Sequence, residues 1–537
     1  MTDRRKFFMI GFAVGGLSLV ISFLLRVFVG GLFIPELAAQ TIFSLMPGSV
    51  ESQAVSALGP LAKQLTFAGA IVVNLFLYGG LGVLLHGTYE RLAHKGHFVN
   101  IVQLSLLSYL AVFAIAGIML EVTQFQSQPL PISLIALYLL PPHIAFGVIL
   151  YLKFRKEVSR PEPIQQISPT SENNADLGKR KFLRLAVAGA VGAVVLLSGI
   201  GFLLPKSTRL PDEEAQPTES PSNSVNEFAD TALAPLLASE ITSNDRFYKV
   251  DVNILTPTIN GDTWKLEVKG LVNNPLEFTY EELKSLPAVE EYATLECISN
   301  KIGEDLISTA LWKGVPLKII LEKAQVRPEA VYVIFKCYDG YDVGIPLERA
   351  GEAVLAYEMN LTTLPQAHGF PLRAVVPGLY GMMNAKWITE IELVDRVYEG
   401  FWQRQGWANN AEYQIHSTII LPGGALTSRF GNIKSSRSVL GEKVPIAGIA
   451  FAGDKGISKV ELSVDGGKSW EGAKIAEPLS RNAWILWSAE WSPPAAGKYR
   501  IIVRATDGTG KLQTSELQNP FPSGSTGYHG VNITVEA

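Results

Sequence analysis

The stretch Thr294-Leu295-Glu296-Cys297-Ile298-Ser299-Asn300, followed by Trp312-x-Gly314-Val315-Pro316-Leu317, decides the reading of this chain. Cys297 is one of two cysteines in 537 residues; the other is Cys337. Two thiols exclude a cysteine-ligated iron–sulfur cluster and a four-cysteine zinc site, each of which needs about four thiolates. They also exclude a disulfide scaffold, and no C-x-x-C-H marks a c-type haem. A lone cysteine is ordinarily a small buried hydrophobe. Its alternative use is as a soft thiolate for a soft metal. Cys337, in the β-rich run Val331–Cys337 with no motif around it, reads as buried filler.

Further motifs follow in order. They are Ala356-Tyr357-Glu358-Met359-Asn360, His368-Gly369-Phe370-Pro371-Leu372-Arg373, Val376-Pro377-Gly378 and Lys386-Trp387, and then Val464-Asp465-Gly466-Gly467-x-x-Trp470. This ordered set resembles the sulfite oxidase family of molybdenum-cofactor enzymes over roughly Phe247–Ala537. The resemblance implies an α+β molybdopterin-binding domain followed by an immunoglobulin-like β-sandwich, and an oxidoreductase that carries molybdenum on a pterin dithiolene. It places Cys297 as the sole protein ligand of the metal. His368, Arg373 and Lys386 then hold the pterin and its phosphate, through the planar fork of Arg and the point charge of Lys. Gly381 gives close backbone approach. Asn300 is either a hydrogen-bonding group near the metal or a turn residue. Tail domains of this kind mediate homodimers in relatives.

The chain departs from the family where sulfite would bind. Sulfite is a dianion, and the family surrounds it with arginines. A gapless alignment through Pro257 and Trp264 puts Asp251 at the first such place, counting from Cys297 puts Ile302 at the second, and Ala483-Trp484-x-Leu486-Trp487 puts Ile485 at the third. The family's active-site tyrosine falls at Trp407. Losing one desolvated charge partner of a bound anion costs about 2–5 kcal/mol. The expected substrate is therefore small and neutral or cationic, with Trp407 lining the mouth. Asp251 reads as an acid or base, or as a salt-bridge partner. A sulfite dehydrogenase, a sulfoxide reductase of the same fold and a cofactor-free binding module are the alternatives.

The first 205 residues differ from the rest. Over the whole chain mean hydropathy is +0.21 and 18% of residues are charged. Apolar runs at about Phe7–Phe33, Leu65–Leu85, Ile101–Leu120, Leu130–Leu152 and Phe182–Leu204 each approach the ~20 residues that span a bilayer. Arg4, Arg5, Lys6, Arg91, Lys95 and the cluster from Lys153 to Lys181 mark one side. The positive-inside rule gives five spans in the cell's cytoplasmic membrane, with the N-terminus inside and the catalytic part outside. Thr2-Asp3-Arg4-Arg5-Lys6-Phe7-Phe8 and Gly178-Lys179-Arg180-Lys181-Phe182-Leu183-Arg184 both resemble twin-arginine export signals, which carry folded cargo. His86 and His143 fall at unequal depth, which disfavours a haem held between them. An apolar piece, Leu37–Leu61, broken by Pro47 and Pro60, reads as an interfacial or external helix with no assigned role.

Beyond residue 205 the chain holds 31 Lys and Arg against 41 Asp and Glu. That balance disfavours nucleic acid. It suits either a basic partner or plain solubility. The expected organisation is a membrane domain over 1–205, a linker over 206–240 rich in Pro, Ser and acids, a catalytic domain over 241–400 and a sandwich over 401–537. Within it, Trp264–Val272 alternates as a strand, Tyr280–Leu286 is a helix with Thr279 as N-cap, and Pro316–Ala324 is a helix. Pro445–Phe451, Ser458–Val464, Ala483–Trp491 and Gly497–Ala505 are strands between turn signals. The expected partners are membrane lipid, the small substrate, and an external redox carrier such as a cytochrome or the quinone pool.

Overall fold

A computed structural model describes residues 2–58, 61–92, 96–122, 132–158, 240–253, 256–423 and 437–537. The fifth apolar run, the second twin-arginine-like segment and the linker up to residue 239 lie outside the described residues.

The N-terminal part is helical: α1 (Thr2–Val29), α2 (Ile34–Leu45), α3 (Gly48–Leu58), α4 (Leu61–Leu92), α5 (His97–Val122) and α6 (Ile132–Val158). Segments of α1, α4, α5 and α6 are long and apolar enough to cross a membrane, with mean hydropathy of 2.3, 2.0, 2.1 and 1.9. Helices in lipid associate through close packing, so small residues mark their crossings. A Cβ on Gly11 of α1 would lie 2.7 Å from the Cα of Gly82 in α4. His143 is buried, its Nδ1 2.6 Å from the Leu139 carbonyl and its Nε2 3.3 Å from the Tyr78 hydroxyl. His86 stacks on Phe7. The apolar piece after α1 is divided at Pro47 into two helices with different allegiances. Helix α2 clusters with the other N-terminal helices, whereas residues 46–59, which carry α3, cluster with the β-rich part of the chain.

The β-rich part begins with β1 (Lys265–Gly270), β2 (Leu276–Thr279), β3 (Val289–Glu296), β4 (Ile307–Pro316), β5 (Tyr332–Cys337), β6 (Asp342–Pro346), β7 (Val354–Met359), β8 (Thr362–Thr363), β9 (Arg373–Val375) and β10 (Ile388–Val394). One sheet runs β2-β1-β10-β5-β6 and a second runs β3-β4-β7-β8, with β9 on β7. Helix α7 (Tyr280–Lys284) starts on a capping box between Thr279 and Glu282. Helix α8 (Leu317–Ala324) starts after Pro316 and buries Leu317, Ile320, Leu321 and Ala324, the spacing of one helical face. Both lie where the sequence placed them. Cys337 is fully buried in the core, as filler should be.

The remaining strands are β11 (His416–Leu421), β12 (Arg437–Val439), β13 (Val444–Phe451), β14 (Ile457–Ser463), β15 (Glu471–Gly472), β16 (Lys474–Ile475), β17 (Ile485–Trp491), β18 (Gly497–Asp507) and β19 (His529–Glu536). They form two sheets, β11-β13-β17-β16 and β12-β19-β18-β14-β15. Ile419, Ile446, Ile485 and Trp487 fill the sandwich interior with Val460, Ile501 and Ile533. The alternate residues Ile420, Ala447, Trp484 and Leu486 join the core that holds Val315, Leu355 and Trp387 of the preceding strands. Residues on both faces of β11, β13 and the start of β17 are thus buried.

Candidate active site

The cysteine loop connects β3 to β4, whose antiparallel register ends at Glu296 opposite Ile307. Cys297 therefore stands at the point where the ladder stops. Its N–H donates to the Leu306 carbonyl, and the Asn300 N–H donates back to the Cys297 carbonyl, both at 2.9 Å. The thiol is buried, 3.0 Å from the Ser299 hydroxyl. Burial pushes its pKa up to about 11, against the opposing pull of Ser299.

An open cavity lies over this sulfur. Cys297, Asp251, His368, Arg373, Gly381, Lys386 and Trp407 all line it, so residues scattered over more than half of the β-rich chain converge on one place. Arg373 begins β9 and is stacked on the Trp312 ring, its guanidinium carbon 4.6 Å from the centroid. It donates to the His368 carbonyl at 3.1 Å, while its Nε is buried with no acceptor. Burial lowers its pKa to about 10, still well above neutrality. His368 Nε2 lies 2.6 Å from the Asn244 carbonyl, and burial lowers the imidazole to about 3. It is a neutral ring with Nε2–H donating. Lys386 pairs with Asp251 at 3.0 Å, so the salt-bridge reading of Asp251 is the one the side chains adopt. Burial lowers the Lys386 pKa, and the Asp251 charge opposes the shift. At Gly381 an added Cβ would lie 2.5 Å from the Tyr248 hydroxyl and 3.1 Å from the Glu296 carbonyl, so only a hydrogen fits on that wall.

Asn300, read either as a group near the metal or as a turn residue, hydrogen-bonds within its own loop. It is not among the residues lining the cavity. Its Nδ2 donates to Glu296 at 2.8 Å, and its Oδ1 accepts from the Leu306 N–H at 3.0 Å. Both ends of the amide hold the cysteine loop in shape. Glu296 also meets His416 of β11 at 2.5 Å, with both side chains buried. Burial lowers the His416 pKa, but the Glu296 charge and hydrogen bond outweigh it and the net direction is up. Ser525 ties the same loop to the sandwich by donating to the Asn300 carbonyl at 2.7 Å.

Sequence reasoning missed other lining residues: Glu51, Tyr248, Asp339 and Tyr341. Asp339 accepts from Asn253 at 2.6 Å, and burial raises its carboxyl to about 6. Nothing in the sequence spacing around Asp339 pointed it at a cavity. Ile485, aligned to a sulfite-binding arginine, lies instead in the sandwich interior. Among the described residues that line the cavity, Arg373 is the single arginine.

Residues 253–402 match the family model for the oxidoreductase molybdopterin binding domain, and residues 409–536 match the Mo-co oxidoreductase dimerisation domain. The chain belongs to the sulfite oxidase-like molybdopterin oxidoreductases. Rat mitochondrial sulfite oxidase is 28% identical over 388 residues, covering 63% of this chain and 71% of that protein. An uncharacterised oxidoreductase of Bacillus subtilis, YuiH, is 37% identical over 146 residues, 27% of this chain and 72% of that one. The solved sulfane dehydrogenase SoxCD of Paracoccus pantotrophus overlays with a TM-score of 0.46 at 23% identity, over 52% of this chain and 78% of that one.

A molybdenum–molybdopterin cofactor is implied by this membership, and the side chains present fit one. A buried guanidinium retains an unused donor, as an anionic group requires. The backbone at Gly381 admits close approach. A thiol held protonated by burial becomes a thiolate when a metal cation replaces the proton.

Proposed function

We propose that this chain is a membrane-anchored molybdenum oxidoreductase acting outside the cytoplasm on a small substrate other than sulfite. The observation that carries the reading is the cavity itself, in which the Cys297 sulfur faces Arg373 and Lys386 with no further guanidinium among the described lining residues. Cys297 supplies the protein ligand to the metal. Arg373, Lys386 and His368 hold the pterin and its phosphate, and Gly381 lets it lie against the backbone. When bound, that group supplies two-electron oxygen-atom transfer. The protein's own contribution is to bind, orient and exclude. Asp251 keeps Lys386 charged in a buried place, and Trp407 gives the mouth an apolar wall.

A dianion meets few cations in this cavity. A site lacking desolvated partners for a bound anion forfeits about 2–5 kcal/mol per partner. Positive-inside asymmetry around α1, α4, α5 and α6, with the apolar run at 182–204 read as a fifth span, supports an external catalytic part. Electrons then pass to or from a cytochrome or the quinone pool, and the C-terminal domain supports a homodimer. Purified, metal-loaded protein assayed with sulfite, sulfoxides and N-oxides tests this. Turnover of a sulfoxide or N-oxide with sulfite negligible is expected; efficient sulfite oxidation contradicts it.

A further inference from the structure

One part of the cavity wall comes from the segment between α2 and α4, about 200 residues before the first matched domain. Residues 46–59, between α2 and α4, belong to the compact unit that contains the site, and Glu51 of α3 faces the cavity beside Cys297 and Trp407. The segment is seated firmly. The Gly48 N–H donates to the Gln405 carbonyl at 2.9 Å. A Cβ on Gly48 would lie 2.6 Å from that oxygen and 2.9 Å from both Trp407 Nε1 and the Phe521 ring, so α3 starts in a slot that admits glycine alone. The Val50 and Glu51 N–H groups donate to the Pro47 carbonyl at 2.9 and 3.0 Å, which fixes the first turn of α3.

Glu51 changes the charge of the cavity. The lining holds three carboxylates, Glu51, Asp251 and Asp339, against the two cations Arg373 and Lys386. Asp251 is paired with Lys386, and Asp339 accepts from Asn253 and the Tyr341 N–H. Among the described residues Glu51 takes part in no salt bridge. Its neighbour is the buried indole N–H of Trp407, which lacks an acceptor at hydrogen-bonding geometry. Burial raises the Glu51 carboxyl to about 7, and the Trp407 N–H opposes that rise.

We propose that Glu51 is a specificity-determining residue: carried into the active-site mouth by α3, it repels small oxyanions and leaves the cavity to neutral or cationic substrates. This rests on the functional reading above and adds to it a residue that no family domain contains. A carboxylate set where a dianion would enter is a repulsive element of the kind that specificity requires.

The test uses the detergent-solubilised full chain at about pH 8, where the carboxyl is charged. Binding of radiolabelled sulfate, an unreactive tetrahedral dianion, is measured by equilibrium dialysis for wild type, Glu51→Gln and Glu51→Ala, with labelled dimethyl sulfoxide as the neutral probe. Like-charge juxtaposition costs enough that sulfate affinity should rise about tenfold or more in both variants, while dimethyl sulfoxide affinity stays the same. Unchanged sulfate affinity overturns the proposal. So does an equal rise for both probes, which shows only that the cap has loosened, and so does loss of molybdenum in Glu51→Gln alone. Sulfate binding needs no metal, so the comparison is decided even if wild-type protein contains no molybdenum, a result that would sink the functional reading instead.

Discussion

Cys297 is a weak acid in a dry place, and everything around it is arranged to hold the loop rather than to ionise the sulfur. Asn300 does this work from behind, with one amide end on Glu296 and the other on the Leu306 N–H. Replacing Asn300 with Ala removes one of two donors to Glu296 Oε1, which keeps His416, and leaves the Leu306 N–H without its acceptor, a loss of about 1–3 kcal/mol. Thermal unfolding should therefore shift down in Asn300→Ala, while turnover per bound molybdenum stays near wild type. A stable variant that has lost its pterin would restore the cofactor-contact reading. The asparagine was visible in the motif, but its partners were not, because Glu296 and Leu306 reach it only through the turn. Arg373, His368 and Lys386 were legible from ordered motifs, whereas Glu51 was not, because its route into the cavity depends on how α3 packs and leaves no trace in spacing.

Among the elements, the strands and short helices whose local chemistry is self-contained were readable directly. The N-cap at Thr279 and the turn at Asp465 are examples; Asp465 accepts from the Lys468 and Ser469 N–H groups at 2.9 and 3.0 Å. The β11–β19 contact carries a pH dependence that sequence could not supply. His529 Nδ1 accepts from the Ile419 N–H at 3.0 Å, which requires an unprotonated Nδ1. Burial, aided by the Arg500 charge, lowers the imidazole from 6.5 to about 4. Above about pH 6.5 the folded and unfolded chains are both neutral at this residue. As pH falls from there towards 4, the unfolded chain takes up a proton that the folded chain refuses, so stability declines, by about 3 kcal/mol at most. Denaturant midpoints at about pH 7.5 and 5 should differ less in His529→Gln than in wild type; equal differences contradict the assignment.

At the scale of the molecule, the catalytic strands and the sandwich share a core, since Trp484, Leu486 and Ile449 pack in the same cluster as Val315 and Leu355. The sequence suggested two domains meeting near residue 400, but an apolar strand does not say how many of its faces are covered. Residues 240–537 should accordingly unfold in one calorimetric transition, and separate melting of the sandwich would contradict a shared core. The helical part was legible from hydropathy alone, except where α3 leaves its neighbours for the catalytic unit. All of this supports one chemical centre. Elemental and pterin analysis of freshly purified full-length protein, beside Cys297→Ser, tests that centre most directly. Stoichiometric molybdenum with its pterin in the wild type and loss of the metal in the variant are predicted. Wild-type protein without molybdenum, or a serine variant that keeps the metal and its activity, would contradict the account.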